Sequence, residues 1–214
     1  MSLGRSLIKL LEIASAPLNL RVPELSNDSR LLAGGLVDEL MSILREKNGF
    51  NALESALHFF PAQSSLLSVG INEWNDYSGW RGEYEDLAKG CLFFCEDVFG
   101  GQFCIESDRV WSFDPETGDR KLLGSTLNEW ADVVLKDYEV LTGQPLAHVW
   151  QRKNGPLPEG GRLVPRIPFV LGGEFAVDNL VLMDAEKAMR MRGNLARQIH
   201  NLPDGAQIHF VIEE

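Results

Sequence analysis

Residues 91–117, CLFFCEDVFGGQFCIESDRVWSFDPET, set short apolar runs between pairs of turn formers, the spacing of consecutive β-hairpins. The runs are Leu92 to Phe94, Gln102 to Ile105 and Val110 to Phe113, and the interruptions are Gly100-Gly101, Ser107-Asp108 and Asp114-Pro115. Glycine tolerates positive φ, aspartate bonds its own backbone, and proline presets one turn dihedral. The segment therefore reads as a compact run of strands. No nucleophile, base and orienting group are assembled within it.

Outward from this centre the pattern turns helical on both sides. Ser6 to Ile13 has helix-period apolar residues, and Pro17 disfavours continuation. Leu31 to Glu46 reads as one helix, with Leu32, Leu36, Leu40 and Leu44 every four positions and a stop at Asn48-Gly49. Phe50 to Phe60 reads as a short helix or a surface-docked segment. Downstream, Ser125 or Thr126 caps a helix with Glu129 near the reciprocal position, and Leu127, Trp130, Val133 and Val134 form its apolar face, with Trp130 a packing anchor. Gly155 to Pro168 is a proline- and glycine-rich connection, and Val177 to Leu182 is a strand or docking segment. Asp184 through Ile199 is an amphipathic helix whose Arg190, Arg192 and Arg197 form a solvated face, and Gln207 to Ile212 alternates as a terminal strand.

A chain of 214 residues with 44% apolar content can bury one sizeable core. Its formal charge of -11 repels nucleic-acid phosphates and anionic membranes and attracts basic surfaces. The first segment makes a poor export signal, because Lys9 and Glu12 interrupt a short hydrophobic run. Cys91, Cys95 and Cys104 have no histidine nearby and read as buried thiols rather than zinc ligands. A cytoplasmic location is the simplest expectation.

Between Glu73 and Asp119 stand 12 acidic residues against Arg81, Lys89 and Arg109, so most of the charge excess sits in one segment. Within it, Trp74, Asp76, Tyr77, Trp80, Glu83, Tyr84 and Asp86 interleave aromatics with carboxylates. Such rings either pack inward or form an interface hot spot facing a basic protein. The second reading makes these seven the candidate partner-binding residues. His58, His148, His200 and His209 lie in separate elements, without an HExxH pair, a GxSxG elbow or a phosphate loop. Glu96 and Asp97 are adjacent and would face opposite sides of a strand, which works against a shared metal or an acid–base pair. No catalytic, cofactor-binding or metal-binding set is assigned.

The helical lead-in NGFNALESALHFFP, the stretch LFFCEDVFGGQFCIESDRVWSFDPETGD and the helix STLNEWADVVLKDY together resemble the SMI1/KNR4 (SUKH) superfamily, over roughly residues 31–141. Their order is the signal rather than any one motif, and Glu96, Asp97, Phe99 and Gly100 match the family's turn pattern. The resemblance implies an α+β fold, with a central, mainly antiparallel sheet flanked by helices. The chain from Thr142 onward departs from the smallest version of that fold: residues 1–214 read as a single elaborated domain with 142–214 an extension packed on it, or 142–214 forms a small C-terminal unit. The resemblance also implies a noncatalytic intracellular protein-binding module, an immunity protein neutralising a basic toxin or nuclease. A regulatory or scaffolding adaptor is the alternative, and an uncharacterised hydrolase stands third.

Overall fold

A computed structural model of the chain describes residues 3–203, 205 and 206. The strand expected over Gln207–Ile212, and His209 with it, lie outside the described residues. The architecture is α+β. Six antiparallel strands run in sequential order, each paired to the next: β1 (Phe50–Ala52), β2 (Leu57–Phe59), β3 (Leu92–Asp97), β4 (Gln102–Glu106), β5 (Arg109–Phe113) and β6 (Arg120–Gly124). A separate antiparallel pair joins β7 (Gly161–Pro165) to β8 (Leu180–Asp184). The helices are α1 (Arg5–Glu12), α2 (Asn27–Ala33), α3 (Val37–Glu46), α4 (Ile71–Trp74), α5 (Leu127–Lys136), α6 (Tyr138–Thr142), α7 (Gln144–Asn154) and α8 (Ala185–Ile199).

The expected hairpins form. Ser107 and Asp108 both take positive φ (50° and 57°), the mirror-image turn whose twist matches its flanking strands. Strand β3 is buried from Leu92 through Glu96, so it reads as a continuous apolar run because both faces of the sheet are covered. Phe94 packs on Trp130 (5.1 Å between rings) and Phe59 (5.4 Å), under α5 and α1. Phe93, pointing the other way, packs on Trp80 (5.0 Å) and Phe113 (5.3 Å), under two short 3-10 turns at Trp80–Glu83 and Glu85–Ala88. Enclosing one indole such as Trp80 or Trp130 is worth roughly 5 kcal/mol of transfer free energy before entropy is counted.

Helix α5 starts where its cap residues dictate. Thr126 accepts a hydrogen bond from Glu129 N (3.0 Å), and the Glu129 carboxylate accepts from Ser125 N (2.7 Å). Glu39 of α3 adds a tertiary cap, its two oxygens accepting from Leu127 N and Asn128 N. The first-turn donors are thereby satisfied by a side chain that also fixes α5 against α3.

Two expectations need correction. Phe50–Phe60 is a β-hairpin, not a helix: Leu53, Glu54 and Ser55 all take positive φ, and Phe50 stacks on Phe59 at 4.9 Å. Leu31–Glu46 is not one helix. Helix α2 begins earlier, with Ser26 as its cap, and the chain bends at Gly34 (φ 52°) through a 3-10 turn before α3. The bend leaves Leu31 exposed while Leu40 and Leu44 stay in the core.

The chain after Thr142 packs onto this sheet at two places. Val98, Ala56, Ala147, Trp150, Leu163 and Leu180 form a second apolar cluster, and Leu163 N donates to Val98 O (2.8 Å). Helix α8, capped by Asp184, sends Met189 and Ala196 into the main core. It lies so close to the first 3-10 turn that a Cβ on Gly193 would stand 2.7 Å from the Glu83 Cβ.

Candidate functional site

The seven residues expected to face a partner divide in two. Trp74, Trp80 and Tyr84 are inside the core, and that corrects their reading as contact rings. Trp74 donates its indole N–H to Gln102 Oε1 (2.9 Å), Tyr84 donates its hydroxyl to Pro115 O (2.7 Å), and both rings pack on Trp80. Arg81 is buried with them: its side chain donates to the carbonyls of Asn75 and Ala88 and lies over the rings of Tyr77 (4.3 Å) and Phe93 (5.4 Å), tying the two ends of the segment together. Asp76, Tyr77, Glu83 and Asp86 remain at the surface.

Helix α8 covers part of this acidic face. Arg190 bridges Glu186 (2.8 Å) and approaches Glu83 (4.0 Å), and Arg197 pairs with Glu85. Arg192, expected in solvent, is buried: it donates to Ala188 O and Phe99 O. Arg190 and Arg197 thus keep the exposed face expected of them while pairing with the 3-10 turns, and Arg192 alone departs from it.

Beneath lies a buried polar crossing. Glu96 on β3 pairs with Arg162 on β7 at 2.7 Å, with side chains 2% and 4% exposed. Gln102 Nε2 donates to the other Glu96 oxygen (3.1 Å) and to Gly100 O, while its Oε1 receives the Trp74 indole. Burial pushes the Glu96 carboxyl above its ordinary range, against the pull of Arg162. His58, directly across from Glu96 in the β2–β3 register, sits between Asn51 Oδ1 (2.6 Å) and Ser68 Oγ (2.9 Å). Burial, and secondarily Arg162, push its pKa well below 6.5 and keep the ring neutral.

Asp97 points the opposite way, as its place on a strand requires. It faces a cleft of about 240 Å³ bounded by the ends of β3 and β5, helix α6, the 3-10 turn at Phe169–Leu171 and α8. Asp97 Oδ1 accepts from Phe99 N (2.7 Å) and Gly101 N (2.8 Å). Burial nonetheless pushes its carboxyl up to about 7, those two N–H groups opposing the rise. Glu116, only 4% exposed, accepts from Val170 N (2.9 Å), and burial raises its pKa as well. Phe169 stacks on Phe175 (3.9 Å, 7° between planes) with Phe99 edge-on at 5.4 Å. Sequence reasoning missed Arg162, Glu116, Arg192 and this aromatic wall, because none carries a local motif.

Of the other histidines among the described residues, His148 and His200 are each only partly buried. His148 meets Glu54 at 2.8 Å, but both side chains are about half exposed, and Gln144 and Gln151 bind the same turn, which docks α7. His200 lies near Asp119 (3.5 Å) and hydrogen-bonds Thr117 O. The three thiols are free and buried. Among the described residues no group of three or more His, Cys, Asp or Glu side chains is placed to hold a metal ion, and no helix is long and apolar enough to cross a membrane.

This assembly defines an α+β protein with a six-stranded antiparallel meander enclosed by helices on both faces. The same fold occurs in the crystal structure of Atu4351 from Agrobacterium tumefaciens, which aligns with a TM-score of 0.59 at 16% identity over 86% of each chain. At that identity the likeness is one of fold alone. It extends well beyond the 31–141 region that carries the sequence resemblance. No family model matches the chain, and no curated protein matches it.

Proposed function

We propose that the chain is a noncatalytic protein-binding module of the SMI1/KNR4 kind, acting as an immunity protein that holds a basic toxin or nuclease. The observation that carries this reading is the concentration of negative charge between Glu73 and Asp119, part of which stays in solvent. Asp76 and Asp86, with the half-exposed ring of Tyr77, stay in solvent before and along the 3-10 turns, while Glu83 lies beside α8 and the aromatic neighbours hold the backbone from within. A rigid acidic surface of this type speeds encounter with a cationic partner and rejects anionic ones. Buried free thiols suit a reducing compartment, which supports cytoplasmic action.

The test is co-expression with the products of neighbouring genes, scored by survival and by co-purification. Asp76→Lys/Asp86→Lys should lower the association rate about tenfold at low salt, with the difference closing near 1 M salt. A partner that is not toxic would move the protein to the adaptor reading. Unchanged binding by the folded double variant would remove this face from the interface.

A further inference from the structure

The cleft beside Asp97 has a composition that the acidic face does not share. Its rim is apolar and open, with Val140 75% and Phe175 68% exposed, although Phe175 is stacked flat on Phe169. Its depth is charged. Asp97, Asp114 and Glu116 line it, and Arg192 is the cation among its lining residues. Arg192 gives Nε and Nη1 to backbone carbonyls and Nη2 to Met189 Sδ (3.6 Å). Against the dominant effect of burial, its charge lowers the pKa of the Asp97 and Glu116 carboxyl groups, but no cation lies within 4.0 Å of either carboxylate among the described residues. Glu116 is thus a nearly enclosed carboxylate held by the Val170 N–H, without an ion-pair partner within 4.0 Å. Among the described residues nothing donates to Asp97 Oδ2, and Asp97 is one of the residues that line the cleft. At about 240 Å³ the space falls below the usual range for small-molecule pockets and suits one inserted side chain.

We propose that this cleft receives an arginine side chain from the protein partner, its stem against Phe175 and Val140 and its guanidinium against Asp97 and Glu116. The proposal rests on the protein-binding reading and assigns that partner a specific anchor. A planar guanidinium can lie over the Phe169/Phe175 stack while its fork engages a carboxylate, which an ammonium does less well. Burial holds Asp97 partly protonated near neutrality, with Glu96, Asp114, Glu116 and Arg192 the charged groups around it. Arginine entry therefore releases a proton, and affinity rises with pH through about 7.

The probe is acetyl-arginine amide, titrated into the whole protein and followed by amide chemical shifts, with the neutral isostere acetyl-citrulline amide as control. Saturable shifts at Asp97, Gly101, Glu116 and Phe175 are expected, with about tenfold weaker binding of citrulline. Asp97→Asn/Glu116→Gln, which keeps both backbone-accepting oxygens, should lose that preference and the pH dependence together. Phe175→Ala should weaken binding without altering the fold. Equal binding of arginine and citrulline, or shifts unchanged in the double variant, overturns the proposal. These titrations need no toxin, so a failed toxin screen and a failed cleft are separate results. A partner held equally well by the native protein and the double variant would reject the anchor while leaving the protein-binding reading intact.

Discussion

Replacing Arg162 with methionine tests whether the polar crossing holds the chain after Thr142 to the sheet. The substitution keeps most of the side-chain volume but leaves Glu96, 2% exposed, with Gln102 as its one remaining side-chain donor. Removing one member of a buried ion pair typically costs about 3–5 kcal/mol, because the other charge stays desolvated. For a chain of this size that is a fall in Tm of about 10 °C. The loss carries a pH signature. Without Arg162 nothing comparable opposes the burial that already raises the Glu96 pKa above 4.5. The folded variant then binds a proton that the unfolded chain has released, so its stability falls as pH rises through that window. The deficit relative to the native protein should therefore be larger near pH 8 than near pH 5. Glu96→Gln/Arg162→Met removes the orphaned charge and should regain most of the loss. Thermal unfolding followed by circular dichroism at the two pH values decides the matter. An R162M variant within about 2 °C of the native protein, or a deficit independent of pH, would refute the reasoning.

His58 and Asp97 should give opposite limbs in the same pH range. The unfolded chain protonates His58 below about 6.5 while the folded protein resists, so native stability relative to His58→Gln falls as pH drops; a flat difference in Tm would count against a buried neutral ring. Folded Asp97 holds its proton up to about 7, so native stability relative to Asp97→Asn should rise as pH falls from about 7 toward 4. Thr126→Ala removes the acceptor for Glu129 N and should cost about 1 kcal/mol in denaturant unfolding; a larger loss from Glu39→Ala would make the cap supplied by α3 the stronger one.

The hairpins between Cys91 and Phe113 were legible because their determinants are local. Asp108 and Gly100 take the positive φ values their residue types tolerate, Ser107 follows as the first position of a two-residue hairpin turn, and the adjacency of Glu96 and Asp97 correctly separated the two carboxylates. Phe50–Phe60 misled because its turn places Leu53, Glu54 and Ser55 in a conformation usually left to glycine. Leucines every four residues hid the bend at Gly34.

The acidic-aromatic segment was ambiguous for a different reason. Composition shows that tryptophans alternate with carboxylates but not which side turns inward; in the fold the rings go inside and Arg81 goes with them. The cleft was not legible at all. Its walls come from strand ends, a short helix, a 3-10 turn and α8, and Glu116 and Arg192 come to line one cleft only after the sheet has closed. Arg162 stood in a stretch whose prolines and glycines advertise a connection, and the strand within it is defined by its partner β8.

The tie between Glu96 and Arg162 also orders events during synthesis. Strand β3 leaves the ribosome well before β7 and α8, so the half-made sheet carries a lone carboxylate at its centre and bare apolar surface where α8 will dock. A message truncated after β6 should leave that apolar surface uncovered, a target for chaperones and proteases.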